Sequence, residues 1–233
     1  MRYNLLSVGA DAKTVKGEKF GYLTGILYLQ PADMSGTNLC PMASAGCKAA
    51  CLFTAGMGRF PSVKAGRARK TQLFLNNRQS FMKQIVMDIG ILELEAKFKG
   101  MKPVVRLNGT SDIQWENILH DGKTIFEHFP NVQFMDYTKI VKRMMPLAKA
   151  QKIENYHLTF SRSESNHALA DTVISMGGNV AVVFAGNPPS VFMGRPVVDG
   201  DKSDLRFIDG DNVIVALKAK GRAKYDTTGF IVR

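Results

Sequence analysis

Residues 21–30 read GYLTGILYLQ, and residues 40–56 read CPMASAGCKAACLFTAG. The first segment, rich in Ile, Leu and Tyr, has the composition of a buried strand. The second holds every cysteine of the chain and follows that strand as a loop. Residues 62–98 then read as a long helical region in which Phe81, Ile85, Ile89 and Leu92 recur at helical spacing. Ser62 is placed to cap its start after Pro61, and Asn76 and Asn77 divide it in two. Beyond Pro103 strand and helix alternate. PVVRLNG is a strand, and Asp112 caps a helix through IQWENILHDGKTIFEHF, interrupted at Gly122. NVQFMDY is a strand, and TKIVKRMMPLAKAQ a helix bent or broken near Pro146. NYHLTFS is a strand. ESNHALADTVISM is a helix with Leu169, Val173 and Met176 inward, ending at Gly177-Gly178. NVAVVFA is a strand, and short strands and turns complete the tail.

Such alternation predicts an α/β fold, either a partial (β/α) barrel or an open parallel sheet, with the cysteine loop after the first strand. Residues 1–233 form a single α/β domain on this reading. It divides into an N-terminal arm at 1–20, a cluster loop at 40–58, and C-terminal strands with a basic tail at 195–233.

Parallel α/β folds place their sites at the carboxyl ends of strands. Those ends are polar here, running Arg106 to Asp112, Asp136 to Lys139, Thr159 to Glu164, Gly186-Asn187, and Asp199 to Asp204. The candidate cofactor-binding residues are Arg106, Asn108, Ser111, Asp112, Ser161, Arg162 and Glu164. Purely structural roles stand beside this reading. Asp112 can serve as an N-cap, Ser161 and Glu164 have capping-box spacing, and Asp199 and Asp201 lie in a glycine turn.

The composition, 45% hydrophobic and 22% charged over 233 residues, is that of a globular domain. No apolar run reaches bilayer-spanning length, and residues 1–20 lack the apolar core of a secretory signal. A soluble chain in the cytoplasm, with no membrane partner, is expected. The net charge of +11 gathers in KTVKGEK, VKAGRARK, KIVKRMM and KAKGRAKY. Solvated helix faces are one reading. An anionic partner is the other, with Arg67, Arg69 and Lys70 as nucleic-acid contacts.

The cysteines, Cys40, Cys47 and Cys51, have the spacing C-x6-C-x3-C. An odd count in a reducing compartment argues against disulfides. A lone catalytic thiol needs no two neighbours. Structural zinc wants four ligands, whereas His120, His128, His157 and His167 all lie far downstream. A [4Fe-4S] cluster fits better, because three thiolates hold three irons and leave the fourth free. The small residues Ala43, Ser44, Ala45, Gly46, Ala49 and Ala50 let the backbone curl round such a cluster, with N–H groups reaching its sulfides.

CPMASAGCKAACLFTAGMGR, ARKTQLF, VVRLNGTSDIQWE, HLTFSRSESN, VVDGDKSDLRF and ALKAKGRAKYDTTGF span most of the chain. In these stretches it resembles a tailed-phage protein family catalogued by a gene-product number, with no established activity to carry over. A phage-encoded chain would act in the host cytoplasm. The order of strand, three-cysteine loop, helix and alternating strands also resembles the radical S-adenosylmethionine enzymes. Their spacing, C-x3-C-x2-C, is tighter than the one here. This second resemblance implies S-adenosylmethionine on the free iron, with RLNGTSD near its methionine amine and LTFSRSE near its ribose. Two functions follow. One is cluster-dependent, radical-type chemistry on a small molecule or nucleotide. The other is a non-enzymatic module that binds nucleic acid or a host protein, its cluster structural or redox-sensing.

Overall fold

The computed structural model describes residues 3–10 and 12–233. Strand β2 (Tyr22–Leu27) is buried along most of its length and pairs parallel with β3 (Lys102–Arg106), Tyr22 opposite Lys102 and Ile26 opposite Arg106. Parallel pairing continues from β3 to β6 (Gln133–Thr138), to β7 (Tyr156–Ser161), to β8 (Val180–Phe184), to β11 (Ile214–Lys218) and to β10 (Arg195–Asp199). Antiparallel edge strands flank this run, β1 (Leu6–Val8) beside β2 and β9 (Val191–Phe192) beside β10. Among the described residues the sheet has nine strands in the order β1-β2-β3-β6-β7-β8-β11-β10-β9. It is open, with β1 and β9 at its two edges, so of the two expected architectures the open sheet is the one present.

Successive strands from β2 to β8 lie side by side, and right-handed crossovers then put their connections on one face. That face buries alternate residues, among them Val105, Phe134, Leu158, Phe160, Val180, Val182 and Ile214. Helix α4 (Arg78–Phe98) packs there through Phe81, Ile85, Ile89 and Leu92, the periodic set expected from the sequence. The opposite face carries Val104 and Met135 under Leu205, and Val215 beside Ala181. The same alternation sends Arg106, Tyr137 and Ser161 to this second face.

Several local expectations change. The helical region is two helices as foreseen, α3 (Pro61–Asn76) and α4, with the Asn77 side chain capping α4 at Ser80. The start of α3 is set by Phe60 and by Pro61 in the first turn, not by Ser62, because proline's fixed φ suits that position. Asp112 caps no helix. The segment after it holds a single 3-10 turn (Trp115–Asn117), a hairpin of β4 (Leu119–His120) and β5 (Lys123–Thr124), and the short α5 (Ile125–His128). Asp121 and Gly122 both have positive φ, 48° and 78°, the geometry that turns two antiparallel strands sharply. Around Pro146 there are two 3-10 turns (Val141–Met144 and Lys149–Lys152) in place of a helix. Proline forces Met145 into extended backbone, with ψ at 141°, which ends the first turn. Helix α6 (His167–Ser175) buries Ala170, Val173 and Ile174, with Leu169 partly buried against the same core, whereas Met176 of the expected inward stripe is exposed. Its N-cap is Asn166, and Ser161 and Glu164 form no capping box.

Residues read as an arm include β1 and the short α1 (Ala12–Lys16). The buried Asp88 carboxylate on α4 accepts hydrogen bonds from the amides of Asn4, Leu5 and Leu6, at 3.1, 2.6 and 2.9 Å. No helix among the described residues is long and apolar enough to cross a membrane.

Candidate functional site

The carboxyl ends of the parallel strands open onto a cavity of about 610 Å³. Its walls include Arg106 from β3, Tyr137 and Thr138 from β6, Ser161 from β7, Val183 from β8, and Leu217 and Lys218 from β11. Cys40, Cys47 and Cys51 all line it from the loop that follows β2, which places the three thiols over the strand ends. None of the four histidines does. Among the described residues no three His, Cys, Asp or Glu side chains are grouped to hold one metal ion.

The cysteine loop is shaped by residues far from it in sequence. Ser44 caps the short helix α2 (Ala45–Ala49), its hydroxyl accepting from the Cys47 amide at 3.2 Å. Glu164 grips the same turn, accepting from the Ser44 hydroxyl and from the Gly46 amide, each at 2.8 Å. Arg162 donates to the carbonyls of Gly229 and Phe230, at 2.9 and 3.1 Å, and so holds the segment that backs α2. Gly46 has no room for a side chain. A Cβ there would stand 2.8 Å from the Phe230 Cβ and 2.9 Å from Glu164 Oε1, and would strike the Thr228 hydroxyl. Gly46→Ala is therefore expected to destabilise the fold by about 1–3 kcal/mol. Urea unfolding of the two proteins measures it, and equal midpoints would mean that the loop shifts at no cost.

The polar residues of the strand ends differ in what they leave for a ligand. Asn108 is used up internally. Its Nδ2 donates to the Ile113 carbonyl and to Asp136, and its Oδ1 accepts from Ser111, the Ile113 amide and Trp115. Ser111 thereby spends its own hydroxyl hydrogen on Asn108. Asp112 accepts from the Lys139 amide at 2.8 Å and from Arg143 at 3.0 Å. Ser161 takes the Lys139 ammonium on its hydroxyl at 2.6 Å. Arg106, by contrast, is buried and makes no side-chain hydrogen bond among the described residues, and the Tyr137 ring lies under its guanidinium, 4.7 Å away. Arg106, Asn108, Ser111, Asp112 and Ser161 border the cavity, whereas Arg162 and Glu164 stand behind its walls.

Burial governs the titration of the site. It pushes the Cys40 thiol up to about 11, against the hydrogen bond from the Ala32 amide, and the charges of Cys51, Asp112 and Cys47 add to the rise. Burial also raises Cys51, while the Phe53 amide, Arg67 and Lys139 work the other way. Burial lifts Asp112 too, and it lifts Asp136 to about 7 although Arg106 opposes it. Coordination to a metal reverses this preference for the neutral thiol.

Arg67, Arg69 and Lys70 do not make one exposed patch. Arg67 is buried against the Tyr28 and Phe53 rings, Lys70 donates to the Leu5 carbonyl at 2.5 Å, and only Arg69 is exposed. Residues beyond the expected set also matter. Lys139 reaches across to β7, and Arg143 joins Asp112 to Glu116. Thr228 and Phe230 close the back of the loop. The charge run KIVKRMM contains Arg143, but it reads as a solvated face or an anion-binding surface, not as a buried ion pair.

No curated protein and no solved structure matches the chain. A family model described as Gene product 88 matches residues 4–233.

Proposed function

We propose, for a chain that belongs to the Gene product 88 family, an iron–sulfur protein whose Cys40, Cys47 and Cys51 hold a [4Fe-4S] cluster at a small-molecule cavity. The observation that carries this reading is that all three thiols border one cavity together with the polar strand ends. Their donor chemistry fits. Thiolates are the usual ligands of iron–sulfur clusters, and a cluster offers its irons at separate corners, so its ligands need not converge as those of a single ion must. Ala45, Ala49 and Ala50 keep the cysteine turn small, and Gly46 lets it close against Thr228 and Phe230. Such a cluster, when bound, supplies an electron and one iron free of thiolate, on which radical-type chemistry with S-adenosylmethionine would act.

The protein's own groups do the remaining work. Glu164 and Ser44 set the turn that presents Cys47. Lys139, buried beside Ser161 and felt at Cys51, offsets negative charge gathered by three thiolates. Arg106, Thr110 and Tyr137 face the space left for a small molecule or nucleotide. Polar strand ends on the same wall as the thiols support a ligand-using protein over a module with a purely structural cluster, which an apolar surround would serve.

Anaerobically purified protein is expected to be brown, with about four irons and four sulfides per chain. S-adenosylmethionine should perturb the electron paramagnetic resonance signal of the dithionite-reduced protein, and 5′-deoxyadenosine should form. One zinc with no sulfide sinks the cluster. An unaltered signal restricts the protein to structural or electron-transfer use of it.

A further inference from the structure

Arg106 ends β3 with 6% of its surface exposed, and it lines the cavity. Among the described residues no protein acceptor takes a hydrogen bond from its guanidinium, and its Nε is fully buried. Buried arginines are normally paired, because five N–H donors cut off from water are costly to leave unused. Arg143 follows that rule and is bound by Glu116, Asp112 and Tyr156. Arg106 acts electrostatically on Asp136, yet the oxygens of that carboxylate accept from Asn108 and Tyr156. Asp136 balances charge without supplying Arg106 with acceptors. The Tyr137 ring supports the guanidinium from one side. Of the other charges on the cavity wall, Asp33 is bound to Lys48, Asp112 to Arg143 and Asp201 to Lys220; Asp204 adds a carboxylate felt at Tyr137, and Lys64, Lys218 and Arg222 add positive potential.

We propose that Arg106 is the anion anchor of this cavity, donating its planar pair of N–H groups to an oxyanion, carboxylate or phosphate, of the small molecule bound there. This deepens the proposed function, resting on the cavity as a ligand site but not on the presence of the cluster.

The test titrates the full chain, prepared anaerobically, with inorganic phosphate and separately with acetate at constant ionic strength, chloride making up the balance. A saturable rise in melting temperature reports binding. The anion that produces it identifies the ligand as phosphate- or carboxylate-bearing. Arg106→Gln should need about tenfold more anion for the same rise, the size of one lost charge-assisted contact. Arg106→Lys, which keeps the charge but loses the fork, should fall between the two and carries the comparison if the Gln variant does not fold. Iron and sulfide are measured on the same samples. Unchanged iron in Arg106→Gln with weakened anion binding supports the anchor and leaves the cluster reading intact. Iron-free wild type that still binds anion through Arg106 supports the anchor and removes the cluster. No response beyond chloride, or identical curves for wild type and both variants, overturns the proposal.

Discussion

Arg143→Ala is expected to lower the free energy of unfolding by about 3–5 kcal/mol, a large part of the stability of an ordinary domain. Its guanidinium donates to Glu116 at 2.7 and 2.8 Å, to Asp112 at 3.0 Å and to the Tyr156 hydroxyl at 2.8 Å. The side chains of Arg143 and Glu116 are only 2% and 3% exposed. Truncation leaves the Glu116 carboxylate in the interior without its counter-charge and Asp112 with Lys139 alone, and it is this orphaning that makes the loss large. The damage should reach the cavity, because Asp112 also fixes the backbone of Lys139. Arg143→Lys retains one charge but cannot bridge both acids, so its loss should be intermediate. Urea denaturation at pH 7 measures both, and a change below about 1 kcal/mol for Arg143→Ala would show that water enters and replaces the arginine.

Cys47→Ala is expected to abolish most of the iron and sulfide bound by anaerobically prepared protein, from about four of each per chain to less than one. Two thiolates hold a cubane poorly, and the chain has no spare cysteine to substitute. Cys47 is the most telling position, since it lies on α2 and packs beside Ala50 and Phe230, where alanine is well tolerated. The apo fold should survive, so circular dichroism stays constant while the visible absorption disappears. Cys40→Ala and Cys51→Ala should behave alike. Iron retained in any one of the three variants would remove that residue from the ligand set.

The path from sequence to this picture was uneven for physical reasons. The parallel strands showed themselves because a strand buried on both faces is a short apolar run, and PVVR, VQFM and VAVVF are such runs. Their polar ends followed from the run stopping, which located Arg106, Asp112 and Ser161 at the cavity without any contact being known. The turn at Asp121-Gly122 was visible only as an interruption, since strands of two residues are too short to show alternation. Arg143 and Glu116 were invisible as a pair. Each looks like an ordinary surface charge until the fold brings them together. Glu164 had a plausible local use as a cap, whereas its partner Gly46 stands 118 residues away. Roles that depend on such distant pairing leave no periodic trace.

Gly46 meets Thr228 and Phe230, and Arg162 fastens that same segment by the carbonyls of Gly229 and Phe230. This arrangement has a consequence for the order of events on the ribosome. Residues 40–51 emerge early, but the surface that shapes them emerges only with the 220s. Until the 220s are made, the three thiols are therefore unsheltered and open to oxidation. On the proposed cluster reading, loading would follow synthesis of the 220s, and a nascent chain stalled before residue 226 should take up reagents for free thiols at all three cysteines faster than the folded protein does.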